Sequence, residues 1–298
     1  EARSRLFEAR EKRPHPAIDD KAVTAWNALT LKTFAEAGAA LRNPAYVHIA
    51  EENARFIFRS LFSDGHLLRT WKASGDGRAQ TEGYLEDYAT LIDGLVTLYE
   101  ATFDYDWVNR AVELAGRMID LFWDEEARSF FDTPRDQQSL IVRPRNLFDN
   151  AYPSGSSTAT LALLRLALLT GSKDYEPYAL SELRMVHDLM GSVPSALPRW
   201  LAALDFHLSK VKEIVIVGPR DDPATQRLLA VIYDRYLPNK VVAGAEAPPE
   251  SPPTPLLEDR APIAGRPTAF VCEDYHCLMP VTEPEGLSAQ LSDVRVRT

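Results

Sequence analysis

Three aromatic–alanine pairs recur along the chain: Tyr46 with Ala50, Trp107 with Ala111, and Tyr175 with Ala179. Residues four apart share one face of an α-helix. The pairs stand 61 and 68 residues apart, and Leu61-Phe62-Ser63-Asp64 returns as Leu121-Phe122-Trp123-Asp124. A period of about 60 residues holds two helices and their connections, which predicts stacked helical hairpins. Two kinds of segment alternate within it. Tyr46–Leu61 and Trp107–Phe122 carry one apolar stripe with charges elsewhere, as helices with one wet face do. Val23–Leu41, Tyr88–Tyr99 and Thr158–Leu169 are apolar around most of their circumference, as helices buried on several sides are. A mixed segment at Tyr175–Met190 and a shorter helix at Ser195–Leu208 follow. The alternation predicts an inner and an outer layer of a mainly α fold, an α/α toroid or solenoid, over residues 1–210. Short strand hairpins are expected after the outer helices, at Asp64-Gly65 with Leu67–Trp71 and around Phe130-Phe131.

The pattern changes after Lys212. Glu213-Ile214-Val215-Ile216-Val217-Gly218 is a β-branched run that reads as a buried strand. Ala224–Tyr236 reads as a helix opened by Pro223, with further strands at Lys240–Ala243 and Thr268–Cys272. Residues 211–298 are expected to form a small α/β module with a stiff loop over 247–267, rich in proline at Pro248, Pro249, Pro252, Pro253 and Pro255.

Bulk properties narrow the function classes. A net charge of −10 over 298 residues repels phosphate backbones, so nucleic acid is not an expected partner. No apolar run approaches the ~20 residues of a membrane span; Leu161–Leu164 is cut by Arg165. The start lacks a signal-peptide core and an initiator Met, so a fragment of a longer protein is expected. With only two cysteines a disulfide framework is not expected, and the reading is of a reduced, cytoplasmic protein.

Polar clusters precede each inner segment. Asp19-Asp20-Lys21 stands before Trp26-Asn27, Gly83-Tyr84-Leu85-Glu86-Asp87-Tyr88 opens the second inner helix, and Asp149 to Ser157 precedes the third. Each has a structural reading: Asp20 and either Ser154 or Ser156 as N-caps, Glu86 and Asp87 as first-turn charges that complement the helix dipole, Trp26 as a core residue. Each also has a functional one. Carboxylates ~5–10 Å apart suit glycoside hydrolysis, and aromatic rings beside them suit sugar stacking. Glu86 and Asp87 are neighbours, so they point about 100° apart and only one can face the ring axis. Ser154-Gly155-Ser156 lacks the frame of a nucleophile elbow. Cys272 and Cys277, with His276, read as structural thiols, with a disulfide or a zinc pair as alternatives. No cofactor and no metal site is expected.

At these clusters the sequence resembles the YyaL-type family of spermatogenesis-associated protein 20 relatives. The resemblance is carried by Arg13-Pro14-His15, Asp19-Asp20-Lys21, Trp26-Asn27, Gly83 to Tyr88, Ile141-Val142-Arg143-Pro144, Pro153 to Ser157, Glu213 to Gly218, Leu237-Pro238-Asn239-Lys240, and Cys272 with Cys277 before Pro280-Val281-Thr282. It implies a thioredoxin-like domain followed by a six-hairpin (α/α)6 toroid, similar to sugar 2-epimerases and six-hairpin glycosidases. This chain would hold the C-terminal part, about three and a half hairpins, with the missing segment supplied in cis or by another chain. Ser156 stands where the family usually has Asn.

Two functions are expected from this. One is a carbohydrate-active enzyme of glycoside hydrolase type, with Asp87 as general acid or base and Asp20 as its carboxylate partner. Asp19, Trp26, Asn27, Tyr84, Glu86, Asp149 and Ser154 would contact the substrate. Epimerase chemistry fits less well, because the resemblance implies inner-helix histidines there and these inner helices carry none. The other is a non-catalytic sugar- or protein-binding module serving a thioredoxin-like redox domain.

Overall fold

The computed structural model describes residues 1–298 except 17, 74–78, 137–141, 249–252, 275 and 293–298, and the side chain of residue 80. Ile141, Pro249 and Pro252 therefore lie outside the described residues. An exposed helix, α1 (Ala2–Glu11), with no buried residue opens the chain. Sequence periodicity does not mark it, because it has no apolar face to bury.

Strand β1 (Lys21–Val23) leads directly into α2 (Thr24–Ala40), which is paired with α3 (Pro44–Ser60). A three-stranded excursion follows: β2 (Phe62–Ser63), β3 (His66–Lys72) and β4 (Ala79–Glu82). β3 is central, antiparallel to β1, β2 and β4. The second hairpin is α4 (Leu85–Thr102) with α5 (Asp106–Phe122), followed by the short pair β5 (Trp123–Asp124) and β6 (Ser129–Phe130). The repeated Leu-Phe-x-Asp motif thus enters the same kind of hairpin twice. The third hairpin is α6 (Gly155–Thr170) with α7 (Glu176–Met185) and α8 (His187–Ser192), and α9 (Pro198–Leu208) stands alone.

α2, α4, α6 and α9 pack side by side in that order, while α3, α5 and α7 back them. This is the inner and outer layering expected from the sequence, an arc of three and a half hairpins. α4 is buried on almost every residue from Leu85 to Ala101, whereas α5 buries one stripe including Trp107, Ala111, Leu114, Met118 and Phe122. Close approach of the inner helices needs small residues: a Cβ on Gly94 of α4 would lie 3.1 Å from the Ala28 carbonyl oxygen of α2.

A sheet closes one end of the arc. β7 (Lys212–Val217), α10 (Pro223–Tyr233) and β8 (Lys240–Ala245) form a parallel β-α-β unit. β9 (Thr268–Glu273) joins β7 antiparallel, and β10 (His276–Cys277) lies at the outer edge before α11 (Pro284–Ser292). One face of the sheet (Ile214, Ile216, Val242, Val271) packs with α10 and α11. The other (Val215, Val217, Val241, Ala243, Phe270) belongs to the same core as the helices. That second face meets the C-terminal ends of the inner helices: Gly244 N donates to the Tyr99 hydroxyl at 3.4 Å, and Val242 N to Glu100 Oε1 at 3.3 Å. The sheet occupies the C-terminal ends, so the polar clusters that precede the inner helices lie at the opposite, N-terminal ends. Among the described residues no helix is long and apolar enough to cross a membrane.

Cys272 and Cys277 are joined as a disulfide across β9 and β10. The expectation of reduced structural thiols is corrected here: antiparallel pairing sets the two residues directly opposite each other, within bonding reach.

Candidate active site at the inner-helix starts

Two carboxylates fasten the helix starts to one another. Asp87, on the first turn of α4, has no exposed surface. Its Oδ2 accepts from its own Tyr84 N at 2.8 Å and from Arg69 Nη1 of β3 at 2.9 Å. Its Oδ1 accepts from Ala25 N, at the start of α2, at 2.9 Å. Orphan N–H groups of two helices are thereby satisfied by one side chain. Burial pushes the Asp87 carboxyl up to about 6, against Arg69 and the Tyr84 and Ala25 N–H groups, which favour the charged form. Asp149 does the same for the next pair. It accepts from Ser154 N at 2.9 Å, Ser157 Oγ at 2.7 Å and Arg199 N at 2.8 Å, tying the start of α6 to the start of α9. Between these pairs α4 and α6 touch directly, since a Cβ on Gly155 would meet Glu86 N at 2.9 Å. Neighbouring inner-helix starts are therefore linked in a row, α2 to α4, α4 to α6 and α6 to α9.

The individual side chains divide into those that are spent on structure and those that keep exposed surface. Asp20 does not cap α2. The N-cap is Val23, because residues 21–23 are extended and pair with Thr70 to Lys72 of β3; Asp20 sits half-buried before that strand. Asp19 is 65% exposed and pairs with Lys21 Nζ at 3.1 Å, and that contact lowers its carboxyl below the usual range. Asn27 donates to Val23 O inside its own helix start. Ser154 caps α6, accepting from Ser157 N at 3.2 Å. Ser156 is buried, and its Oγ has no hydrogen-bond partner among the described residues. Tyr84 carries the Arg69 guanidinium 4.5 Å above its ring. Trp26 is 57% exposed rather than a core residue.

Glu86, beside Asp87, is the one residue of α4 between Leu85 and Ala101 that is not buried. It pairs with Arg69 Nη2 at 2.7 Å and keeps a fifth of its side chain exposed. Beside it stands Asp132, a residue the sequence motifs do not flag. The Asp132 carbonyl accepts from Leu85 N at 3.0 Å, which sets Asp132 against the first turn of α4. Burial pushes its carboxyl up to about 6, opposed by Asn146 N–H and reinforced by the charge of Glu86. Behind it lies Glu182 of α7, buried, with Oε1 accepting from Phe130 N at 2.7 Å and Oε2 without a hydrogen-bond partner among the described residues. Burial raises that carboxyl to about 7. Arg143 and Arg145 lie over the Phe131 ring at 4.4 and 4.2 Å. Phe148 and Tyr152 are exposed in the segment leading to α6. The only sequence signal for Asp132 is its place just after the Phe130-Phe131 hairpin. Among the described residues no group of three metal-ligating side chains occurs.

No protein-family model matches the chain. Human spermatogenesis-associated protein 20 is 34% identical over 291 residues, covering 94% of this chain. The chain belongs to the family of spermatogenesis-associated protein 20. The rat protein of the same name is 35% identical over an equal span. The chain covers 37% of the length of either relative. Among solved structures, a GH76 α-mannanase of Bacteroides thetaiotaomicron matches 72% of the chain and 58% of its own at 13% identity, with a TM-score of 0.49. Cellobiose 2-epimerase of Spirochaeta thermophila matches 58% of the chain and 44% of its own at 17% identity, with a TM-score of 0.46.

Proposed function

We propose that the mouth of the inner helices is a carbohydrate site with glycoside hydrolase-type acid–base chemistry, carried by Asp132 and Glu86. The observation behind this is the Asp132 carboxyl, partly buried against the first turn of α4 through its own carbonyl and within electrostatic reach of Glu86. Asp132 is partly buried and raised to about 6, so it can hold a proton near neutral pH and deliver it to a leaving oxygen. Glu86 is ion-paired to Arg69, which suits the charged partner. Pairs of carboxyl groups set apart by environment are the usual division between acid and base or nucleophile. Trp26, Phe148 and Tyr152, all exposed near the helix starts, offer apolar faces for sugar rings. Asp87 and Asp149 act through the frame, not on substrate, because their oxygens are taken by backbone N–H groups.

Those two spent carboxylates also favour a second reading, a mouth that binds sugar or protein without catalysis. A screen of the chain against glycans and chromogenic glycosides separates the two. The enzyme reading expects turnover that falls at least about a hundredfold in Asp132→Asn and in Glu86→Gln, with binding retained. Binding without turnover selects the module, and absence of both removes carbohydrate from the reading.

A further inference from the structure

The Cys272–Cys277 disulfide lies away from the mouth and takes no part in the chemistry above. Its two sulfurs differ. Cys272 is 2% exposed on the inner face of β9, while Cys277 is exposed on β10, a two-residue strand at the outer edge of the sheet. Arg260 reaches both: its Nη2 lies 2.9 Å from Cys277 Sγ and 3.7 Å from Cys272 Sγ. The same guanidinium lies 5.1 Å over the Phe270 ring, one inward position along β9. Among the described residues no carboxylate pairs with Arg260, and its buried Nε has no hydrogen-bond partner. An arginine carries its charge throughout the accessible pH range. A cation held against sulfur atoms, with no anion beside it, gains a partner when a sulfur becomes a thiolate.

We propose that Cys272–Cys277 is a thiol–disulfide exchange site that takes two electrons from a dithiol, with Cys277 as the attacked sulfur and Arg260 as the positioning residue. In the first step a thiolate of the dithiol bonds to Cys277 Sγ. The Cys272–Cys277 bond breaks, and its electron pair leaves on Cys272 Sγ, within reach of Arg260. In the second step the other thiol of the dithiol attacks its own partner sulfur in the mixed disulfide and releases Cys277 as a thiolate beside Arg260. The dithiol ends oxidised to a disulfide, and the two protons it loses balance the two thiols formed. Exchange of this kind depends on access to the attacked sulfur and on stabilisation of the leaving thiolate. The exposed edge supplies the first, and Arg260 the second.

The test uses the whole chain, equilibrated against mixtures of reduced and oxidised dithiothreitol, then alkylated and mapped by mass spectrometry. Both thiols should appear together while the far-UV circular dichroism stays unchanged. In the reduced chain Cys277 should alkylate faster than Cys272 at pH 7. Arg260→Met should slow Cys277 by about tenfold and move its rate–pH profile upward by about one pH unit, and Arg260→Lys should restore most of the rate. A packing role alone would leave the pH profile where it is. The proposal is overturned if the air-equilibrated chain holds two free thiols, if the thiols appear only when the chain unfolds, or if the three alkylation profiles coincide. None of these results bears on the carbohydrate reading, so the two can fail separately.

Discussion

Asp87 shows how one side chain can decide between a chemical and a structural role. It serves two helix starts and Arg69 at once, with no exposed surface. Asp87→Asn removes the charge that Arg69 faces and puts an amide donor among donors. Breaking a buried pair in this way costs about 3 kcal/mol or more, so a fall in the midpoint of urea unfolding is expected. Glu86→Gln, at the partly exposed end of the same arginine, should cost under about 1 kcal/mol. Equal losses in the two variants would contradict this division of labour between Asp87 and Glu86. Glu182 gives a pH-dependent counterpart. Its carboxyl is raised to about 7 in the folded chain from 4.5, so the native state binds the proton more tightly than the unfolded one. The stability this brings is full below pH 4.5 and is lost as pH climbs through 7. Glu182→Gln fixes the neutral form, so its advantage over the parent should be near zero at pH 4.5 and reach roughly 3 kcal/mol above pH 7. Urea denaturation across that range measures it. The sequence made Glu86 and Asp87 legible as a pair with different surroundings; the expected catalytic member, Asp87, is the buried one, and Glu86 keeps exposed surface. Asp132 was not legible, because a loop residue acquires its neighbours from the chain's return path and not from any period of its own.

At the scale of elements, the inner helices are legible from apolar coverage alone, and their starts from the polar clusters ahead of them. What holds them in register is less visible. Arg165 stands out in the sequence only as the charge that interrupts an apolar run. In the fold it donates to Asp93 at 2.5 Å and to Glu100 at 2.9 Å, both on α4. Asp93 also receives Lys32 of α2 at 2.9 Å and Arg199 of α9 at 2.5 Å. All four inner helices therefore meet at one carboxylate. Burial alone would raise Asp93, but Lys32, Arg199 and Arg165 together hold it well below the usual carboxylate range. A period-based reading misses such a node, since it joins residues about 60 to 110 positions apart that share no motif. Arg165→Met preserves the volume of the stem and leaves Glu100 and part of Asp93 uncompensated. The expected cost is about 3–5 kcal/mol, with loss of far-UV signal at lower urea than in the parent. A loss below about 1 kcal/mol would mean that the node is replaceable by packing.

Over the whole molecule, the sequence separates a helical part from an α/β part, and the break in pattern after Lys212 is real in secondary structure. Packing joins them again, because the inward face of the sheet shares one core with the inner helices. The join is tightest at Gly244 of β8, where an added Cβ would run into the ring of Phe103, the residue with φ 61° that ends α4. Tyr233 of α10 donates to Glu100 O at 2.9 Å, and Arg220 to Ala101 O, so the same helix end is held from β8, from α10 and from the loop that precedes α10. If sheet and helices form one cooperative unit, a defect at this seam must weaken both. Gly244→Ala should cost about 1–3 kcal/mol by overpacking. In hydrogen exchange under native conditions, protection in β7 and β8 should fall together with protection in α4 and α6, by the same free energy. Exchange that rises in the sheet while α4 keeps its full protection would show two units that unfold separately. In that case the sheet would be an appendage to the arc, not the floor that directs its mouth toward the helix starts.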